Sequence, residues 1–421
     1  MKRKWYKLDN AALIFPSIIK KGWSNAFRIS VTLNETVDPI VLEKAINMMK
    51  KRFPTFFVCL RTGFFWFYLV ENSKDIKPIL DYAYPLTHMS RRDLAKSCIK
   101  VLYFENRIAV EFFHSVTDGN GGLIFVKNLT ATYLSLKKGI SIPLSDGLVD
   151  LDSAPLFDEI NDAFRVHSAP TVKSRSETNS YMLKGTKEED HFLHLVTGEI
   201  DTTSLLEVAH KYNASVTAFL SAIMIDSIIK IQRSKKKRQK DVKVTIPINL
   251  RRLYGEKTLR NFILTLNIGV NPNLGEYSIQ ELCDIVSNSI KLEATPKLMS
   301  ERIAANIHPQ ESKILRVVPL FFKVFAMRLV YNRYGERKGS INISNLGQVN
   351  VPKELKECVS RFEFIIGPQL MYPNNMSLCS YNGKTYIEMI RNIKEAELER
   401  VFFSKLVEEG LTVLIESNER S

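Results

Sequence analysis

One stretch of this 421-residue chain, from Arg107 to Leu134, constrains the fold more than any other, because a strand pattern passes directly into a helix pattern. Apolar and aromatic residues from Arg107 to Phe113 are typical of a strand, and this pattern stops at His114. Beyond the glycine-rich residues 119–122, apolar residues recur at helical spacing: Leu123, Phe125, Val126, Leu129, Tyr133 and Leu134. We therefore predict a strand-to-helix loop in which the glycines turn the chain sharply and leave open space beside the His114 ring.

Strand and helix patterns also alternate elsewhere, which indicates an α/β fold. Residues 27–33 alternate between apolar and polar, as in a half-buried strand, and Asp38 followed by Pro39 is typical of a helix start. Tyr381-Asn382-Gly383-Lys384 predicts a tight hairpin turn. Further strands are predicted at 55–60, 64–70, 98–104, 191–200, 242–247, 262–270, 376–380 and 385–391, and helices at 215–231 and 395–414.

The pattern weakens between about residues 140 and 190, where Ser, Pro, Asp, Lys and Thr accumulate as in a linker or crossing segment. A chain of this length also favours two domains over one. We therefore expect an N-terminal half, residues 1–180, and a C-terminal half, residues 181–421.

The formal net charge of +14 favours an anionic partner: a nucleic acid, an anionic lipid or a phosphorylated cofactor. Charge alone does not choose among these. The densest basic run, residues 233–240, lies between a helix pattern and a strand pattern, where a solvated loop is the favoured interpretation. We therefore expect no nucleic-acid partner.

Metal and membrane sites are not indicated. The five cysteines are widely spaced and never form Cys-x-x-Cys, so buried reduced thiols are favoured over a zinc site or disulfides. His191 and His194 would face opposite sides of a strand, which disfavours a shared metal ion. Polar residues interrupt the N-terminal stretch, and the apolar run 319–331 is too short and too charged to span a bilayer. We expect a cytoplasmic protein without a transmembrane segment.

His114 is the leading candidate for catalysis, because an imidazole accepts a proton near neutral pH without a large change in its resting state. The alternative is a histidine at a strand end that only satisfies a core hydrogen bond. The residues around His114 decide between these two interpretations.

The segment His114-Ser-Val-Thr-Asp118-Gly119, which has the pattern His-x-x-x-Asp-Gly, resembles the signature of the chloramphenicol acetyltransferase-like superfamily. That superfamily includes condensation domains and alcohol acetyltransferases, and the opening residues 5–12 are similar to bacterial alcohol acetyltransferase-like members. The resemblance extends to Ala214-Ser-Val-Thr-Ala-Phe-Leu, Pro247-Ile-Asn-Leu-Arg251-Arg252, Asn261-Phe262 and Ile343-Ser344-Asn345-Leu346-Gly347.

The resemblance implies two related α/β halves, each a mixed sheet flanked by helices, with an active-site tunnel between them. It implies transfer of an acyl group from acyl-CoA to an alcohol, with His114 as general base and without an acyl-enzyme. This mechanism fits a sequence that lacks Gly-x-Ser-x-Gly. Acyl-CoA would be a co-substrate, and no permanently bound cofactor is expected.

Three supporting roles follow from the same resemblance. Asp118 would not orient His114 but would form a salt bridge with Arg251, or failing that Arg252, and with Gly119 would hold the loop in shape. Ser344 or Asn345 would donate to the developing oxyanion. For Ser344 and Asn345, the alternative is a strand-end turn with local hydrogen bonds.

Two alternatives to ester formation remain. One is an N-acyltransferase or an amide-forming condensation enzyme, although Phe113 precedes His114 where many condensation domains carry a second histidine. The other is a catalytically silent homologue that binds acyl-CoA or lipid. The sequence does not indicate the acyl length, the acceptor or the oligomeric state.

Overall fold

The computed structural model describes residues 4–20, 22–170, 177–235, 238–311, 317–331 and 335–419. The strands in these ranges are β1 (Trp5–Lys7), β2 (Ala26–Leu33), β3 (Val58–Thr62), β4 (Phe67–Glu71), β5 (Ile79–Leu80), β6 (Ile99–Phe104), β7 (Arg107–Phe113), β8 (His194–Asp201), β9 (Val242–Asn249), β10 (Ile263–Val270), β11 (Ile341–Gln348), β12 (Val359–Ile366), β13 (Asn374–Tyr381), β14 (Lys384–Arg391) and β15 (Leu414–Ser417).

The α-helices in the same ranges are α1 (Phe15–Ile18), α2 (Pro39–Met48), α3 (Arg91–Leu94), α4 (Gly119–Lys138), α5 (Phe157–Ile160), α6 (Thr202–Lys211), α7 (Val216–Ser234), α8 (Arg251–Tyr254), α9 (Ile279–Glu293), α10 (Pro296–Glu311), α11 (Leu320–Val330), α12 (Lys353–Lys356) and α13 (Glu397–Glu408). Short 3-10 turns occur at Ala11–Leu13, Ala163–Arg165, Glu189–His191, Pro272–Leu274 and Glu336–Lys338.

Two large mixed sheets organise the described residues. The first has the order β12-β2-β7-β6-β5, with only β5 and β6 parallel. The second has the order β10-β9-β11-β13-β14-β8-β15, with β11 parallel to both of its neighbours. A small sheet, β1-β4-β3, completes the set. Helices pack against both large sheets, so the predicted α/β class with mixed, helix-flanked sheets is confirmed.

The first sheet is not built from the N-terminal half alone. Strand β12 runs antiparallel beside β2, with Phe364 opposite Ile29 and Phe362 opposite Val31. Both phenylalanines are buried in the core that surrounds this sheet. A C-terminal strand therefore joins the two halves through backbone hydrogen bonds, while a division near residue 180 remains a prediction.

Strand β2 is buried on both faces, and the prediction of a half-buried strand is wrong. It lies between β12 and β7, and its polar residues Arg28 and Ser30 are 3% and 1% exposed. The Arg28 guanidinium is paired with Asp81 and lies 3.5 Å from a carboxylate oxygen of Glu111. Because of these buried ion pairs, Arg28 is stable on the face of β2 that the sequence periodicity predicted to be exposed to solvent.

Helix α4 begins earlier than the apolar pattern indicated. Asp118 is its N-cap, and the predicted glycine turn is in fact the first turn of the helix. The glycines serve close packing: a Cβ on Gly121 would collide with the Leu259 carbonyl and the Thr117 hydroxyl, and one on Gly122 would press on the Phe27 ring. Their missing side chains allow the helix start to approach the first sheet and the loop before β10.

The C-terminal helix is shorter than predicted. Helix α13 ends at Glu408, and Gly410 follows with a φ of +92°, a value that favours glycine. The chain then turns back so that β15 pairs with β8. Other local predictions are confirmed: Asp38 accepts hydrogen bonds from the Ile40 and Val41 amides, and Asn382-Gly383 connects β13 to β14.

Among the residues that the structure describes, no single helix is long and apolar enough to cross a bilayer. The pair α6 and α7 reaches that length and composition only when taken together, and it is bent by 73°. All five cysteines are buried and unbridged.

Gly121→Ala tests the close packing at the start of α4. Because a backbone carbonyl cannot move aside as a flexible side chain can, we expect a loss of about 1–3 kcal/mol in the free energy of unfolding. Asn120→Ala, one residue earlier in the same turn, is the matched control and should change stability much less. Urea unfolding followed by circular dichroism measures both variants, and equal losses would contradict the packing argument.

Candidate active site

His114 lies at the end of β7, where the strand meets the start of α4. Its backbone amide donates to the Asn25 carbonyl at 3.0 Å, which fixes the strand end. The ring packs between Phe15 and Phe27, with centroid distances of 4.8 and 5.3 Å, and remains partly exposed to a cavity. The imidazole is therefore held by aromatic packing while one edge stays open.

The side-chain amide of Asn261 fixes the tautomer of His114. Its Nδ2 lies 2.9 Å from the His114 carbonyl oxygen and 3.1 Å from Asp9 Oδ2, and both of these atoms are acceptors. The amide nitrogen must therefore occupy that position, and Oδ1 then faces His114 Nδ1 at 2.9 Å. Because Oδ1 can only accept, Nδ1 carries the proton, and Nε2 keeps its lone pair.

Burial keeps His114 neutral. The loss of hydration lowers the His114 pKa below its ordinary value of 6.5, and the nearby Asp118 carboxylate and the Asn261 hydrogen bond oppose that shift only in part. At neutral pH the ring is therefore an unprotonated imidazole, which is the form that accepts a proton.

Asp9 completes a chain of hydrogen bonds behind the imidazole. It is fully buried, accepts from the Ala12 amide at 2.8 Å, and lies 3.7 Å from Arg260 Nη2. Burial raises the Asp9 pKa to about 6, against the lowering effect of Arg260. At pH 7 the carboxylate is mainly ionised, so a negative charge lies beyond the Asn261 amide.

Asp118 does not contact the His114 ring through any hydrogen bond in the described residues. Its Oδ1 accepts from the Gly121 amide at 3.2 Å, which caps α4. Its Oδ2 accepts from the Phe262 amide and from Arg251 Nη1, each at 2.8 Å. One buried carboxylate therefore ties the start of α4 to residues 251–262, and with them Asn261.

Arg251, rather than Arg252, is the residue that the structure brings to Asp118. Its Nε donates to the Thr258 carbonyl at 2.6 Å, and its Nη2 donates to the Arg260 carbonyl. Arg252 is exposed. The guanidinium thus shapes the loop after α8 in addition to balancing the buried charge.

A cavity of about 320 Å³ opens beside His114 and is lined in part by Gly119, Ser344 and Thr245. Ser344 thus lines the same cavity as His114, and its role as an oxyanion donor remains a prediction. Asn345 does not line this cavity: its Nδ2 donates to the Thr217 hydroxyl at 3.0 Å, and its Oδ1 accepts from the Gly347 amide at 2.7 Å. For Asn345 the geometry favours the alternative of a strand-end turn.

Sequence reasoning missed two residues at this site, Asp9 and Asn261. Both lie in segments that the superfamily resemblance already included, but neither was given a role. A buried aspartate near the N-terminus gives no local pattern, and its partner lies more than two hundred residues away. The usable signal was the polar pair Arg260-Asn261 directly before the apolar start of β10.

Two other features considered in the sequence lie outside the cavity. His194 contacts two carboxylates, Glu188 at 2.8 Å and Glu419 at 2.9 Å. In the basic run, Arg233 is paired with Glu276 and Lys235 with Glu397, while Lys236 and Lys237 lie outside the described residues.

Comparison with known proteins identifies the fold. No family model and no curated protein matches the sequence. Similar solved structures include TRI101 from Fusarium graminearum complexed with coenzyme A and T-2 mycotoxin, which is 9% identical, covers 97% of this chain and 99% of its own, and gives a TM-score of 0.64. The trichothecene 15-O-acetyltransferase TRI3 from Fusarium sporotrichioides is 11% identical, with coverages of 97% and 94% and a TM-score of 0.60.

A condensation domain has the same architecture. The first condensation domain of the calcium-dependent antibiotic synthetase, in complex with a substrate analogue, is 14% identical, with both coverages at 96% and a TM-score of 0.59. At such identities the likeness is one of fold. The chain has the two-lobed fold of chloramphenicol acetyltransferase-like and condensation-domain proteins, which confirms the two-lobed architecture that the sequence resemblance implied, while the tunnel between the lobes remains a prediction.

Asp118→Ala should lower the free energy of unfolding by far more than the loss of an N-cap alone would. Removing one partner of a buried ion pair costs about 3–5 kcal/mol, because Arg251 then remains partly buried without its carboxylate. Asp201→Ala is the matched control: Asp201 caps α6 through the Ser204 amide but is exposed, so a loss of about 1 kcal/mol is expected. Urea unfolding compares the two, and similar losses would mean that the Arg251 pair adds nothing.

Proposed function

We propose that this protein is an acyl-CoA-dependent acyltransferase that forms esters from alcohols, with His114 as general base. The observation that supports this most directly is the neutral His114 ring, with Nδ1 committed to Asn261 and the ring open to a cavity. A general base needs a free nitrogen, a pKa at or below the working pH and access to its substrate.

The similar structures support the same chemistry. One was solved with coenzyme A and T-2 mycotoxin, and another is named as a trichothecene 15-O-acetyltransferase. Both names point to acyl transfer onto small molecules. The chain also covers nearly the full length of these proteins, so the comparison involves both lobes.

The proposed reaction has two steps. His114 Nε2 takes the proton of the acceptor hydroxyl while the oxygen attacks the thioester carbonyl, which gives a tetrahedral oxyanion and an imidazolium. The oxyanion then collapses, the carbon–sulfur bond breaks, and the coenzyme A thiolate takes the proton back from Nε2. The imidazole is regenerated, and the products are an ester and free coenzyme A.

Asn261 and Asp9 act in this proposal as positioning residues. The Asn261 carbonyl oxygen holds the Nδ1 proton, so that Nε2 is the basic atom, and the ionised Asp9 behind the amide favours the positive charge that develops on the ring. Ser344 is proposed as a donor to the oxyanion, since it is among the residues that line the same cavity. Asp118, Gly119 and Arg251 hold the loop and do not take part in proton transfer.

Activity requires the His114 imidazole if the proposal is correct. The purified chain would be incubated with an acyl-CoA series and an alcohol panel while free thiol is measured. We expect alcohol-stimulated thiol release that falls about 10²- to 10⁴-fold in His114→Ala. His210→Ala, an exposed histidine in the last turn of α6, is the matched control and should keep full activity.

The outcomes of this assay separate the alternatives. Release stimulated by amines in preference to alcohols would replace ester formation with N-acylation. Tight acyl-CoA binding without release by any acceptor would replace it with a silent binding homologue. Alcohol-dependent release that persists in His114→Ala would reject His114 as the base.

The pH dependence of activity follows from the lowered pKa of His114 and the raised pKa of Asp9. Because burial lowers the His114 pKa below 6.5, the base remains neutral until the pH falls below that value. Asp9, whose pKa is raised to about 6, loses its charge in the same acidic range. We expect kcat/KM to be level above pH 7 and to decline below pH 6.5, and a midpoint at or above pH 7 would contradict this assignment.

A further inference from the structure

A second cavity, of about 430 Å³, lies next to the His114 cavity. Its walls come from the segment around the 3-10 turn Ala11–Leu13, the start of β4, helix α10 through Asn306, and helix α11. They are mainly hydrocarbon, and the main contributors are Leu13, Ile14, Trp66, Phe67, Leu320 and Met327. Apolar cavities of this size bind ligands that bring apolar surface out of water.

The segment from Asn10 to Phe15 lies where the two cavities meet. Asn10, Leu13 and Ile14 line the apolar cavity, Phe15 lines the His114 cavity, and Ala11 lines both. This segment is held in place because the Ala12 carbonyl accepts a hydrogen bond from the Ser115 hydroxyl at 3.1 Å. Ala11 is the residue that the two cavities share.

The one ionisable side chain among the described residues that line this cavity is Lys323, and its charge is satisfied by the protein. Lys323 is 6% exposed, its Nζ donates to the Phe65 carbonyl at 3.1 Å, and the same atom lies 3.4 Å from the centre of the Trp66 ring. A carbonyl and an aromatic face together stabilise an ammonium group. The occupant therefore needs no negative charge, and the aliphatic stem of the lysine adds apolar surface.

Helix α11 presents its residues to the cavity at helical spacing. Leu320, Lys323 and Met327 share one face and line the cavity, while Phe325 and Leu329 on the outer face are 68% and 62% exposed. Substitutions on these two faces therefore separate an effect on the cavity from an effect on the helix.

We propose that the apolar cavity takes the aliphatic chain of the acyl donor, so that the preferred donor is a medium- to long-chain acyl thioester and not acetyl-CoA. This inference rests on the proposed function. The cavity has room for roughly ten methylene-sized groups, on the scale of the volume that a water molecule occupies in the liquid. Each buried methylene raises affinity by roughly fourfold, whereas an acetyl group ends before it passes Ala11.

The first experiment measures kcat/KM for acetyl-, hexanoyl- and decanoyl-CoA with one alcohol. We expect kcat/KM for decanoyl-CoA to exceed that for acetyl-CoA by at least roughly tenfold. Ala326→Phe, which fills the cavity from α11, should reduce this ratio of kcat/KM values at least roughly tenfold. Leu329→Phe adds a comparable ring on the exposed face and should keep the ratio. Met327→Trp fills the same space from another position, in case Ala326→Phe does not fold.

The second experiment measures binding without turnover, so that the cavity is tested even if the proposed reaction is wrong. Calorimetric titration of His114→Ala with decanoyl-CoA and with acetyl-CoA should give the tighter dissociation constant for decanoyl-CoA, and adding Ala326→Phe should remove the difference. Sodium decanoate at millimolar concentration should compete with decanoyl-CoA if both chains occupy this cavity.

Three results would overturn the inference. Equal dissociation constants for the two thioesters would show that the chain gains nothing from the cavity. A decanoyl preference retained in both Ala326→Phe and Met327→Trp would place the chain elsewhere. Decanoate that binds without displacing decanoyl-CoA would identify a separate lipid site. An absence of turnover combined with chain-length-dependent binding would reject the proposed function but keep the cavity assignment.

Discussion

The buried carboxylate of Asp118 is the interaction on which the site depends. It receives hydrogen bonds from the Gly121 amide at the start of α4, and from Arg251 and the Phe262 amide, which lie 133 and 144 residues further along the chain. A fully buried carboxylate is stable only when such donors surround it. The two lobes are therefore fixed relative to each other within hydrogen-bonding tolerance, directly beside His114.

Because Asp118 holds the Phe262 amide, the neighbouring residue Asn261 is placed beside His114. There its amide bonds to the His114 ring, the His114 carbonyl and Asp9. Asp118 therefore binds Phe262, and the adjacent residue Asn261 binds the His114 ring, both just before β10 begins. This arrangement explains how Asp118 helps to position His114 without a hydrogen bond to the His114 ring.

Local patterns predicted local structure well. The strand ending at Phe113, the helix cap at Asp38 and the Asn382-Gly383 hairpin follow from short-range rules, and the structure agrees. Non-local pairings were not predictable in this way: β12 joins β2 across more than three hundred residues, and Asn261 reaches His114 across 147. The burial of Arg28 was missed because its ion pairs come from other elements. For the glycines of α4, the sequence showed that small residues were needed, but not that tight packing was the reason.

The segment that contains Asp9 and Ala11 contributes to both cavities and to the hydrogen bonds behind His114. Its partners Arg260 and Asn261 are synthesised some 250 residues after Asp9. Until then, Asp9 lacks these two contacts. The pocket around His114 therefore cannot be complete before residues 260 and 261 have been synthesised. A nascent first lobe would carry the histidine while its tautomer was still undetermined, and the chain acquires a defined base only when both lobes are made.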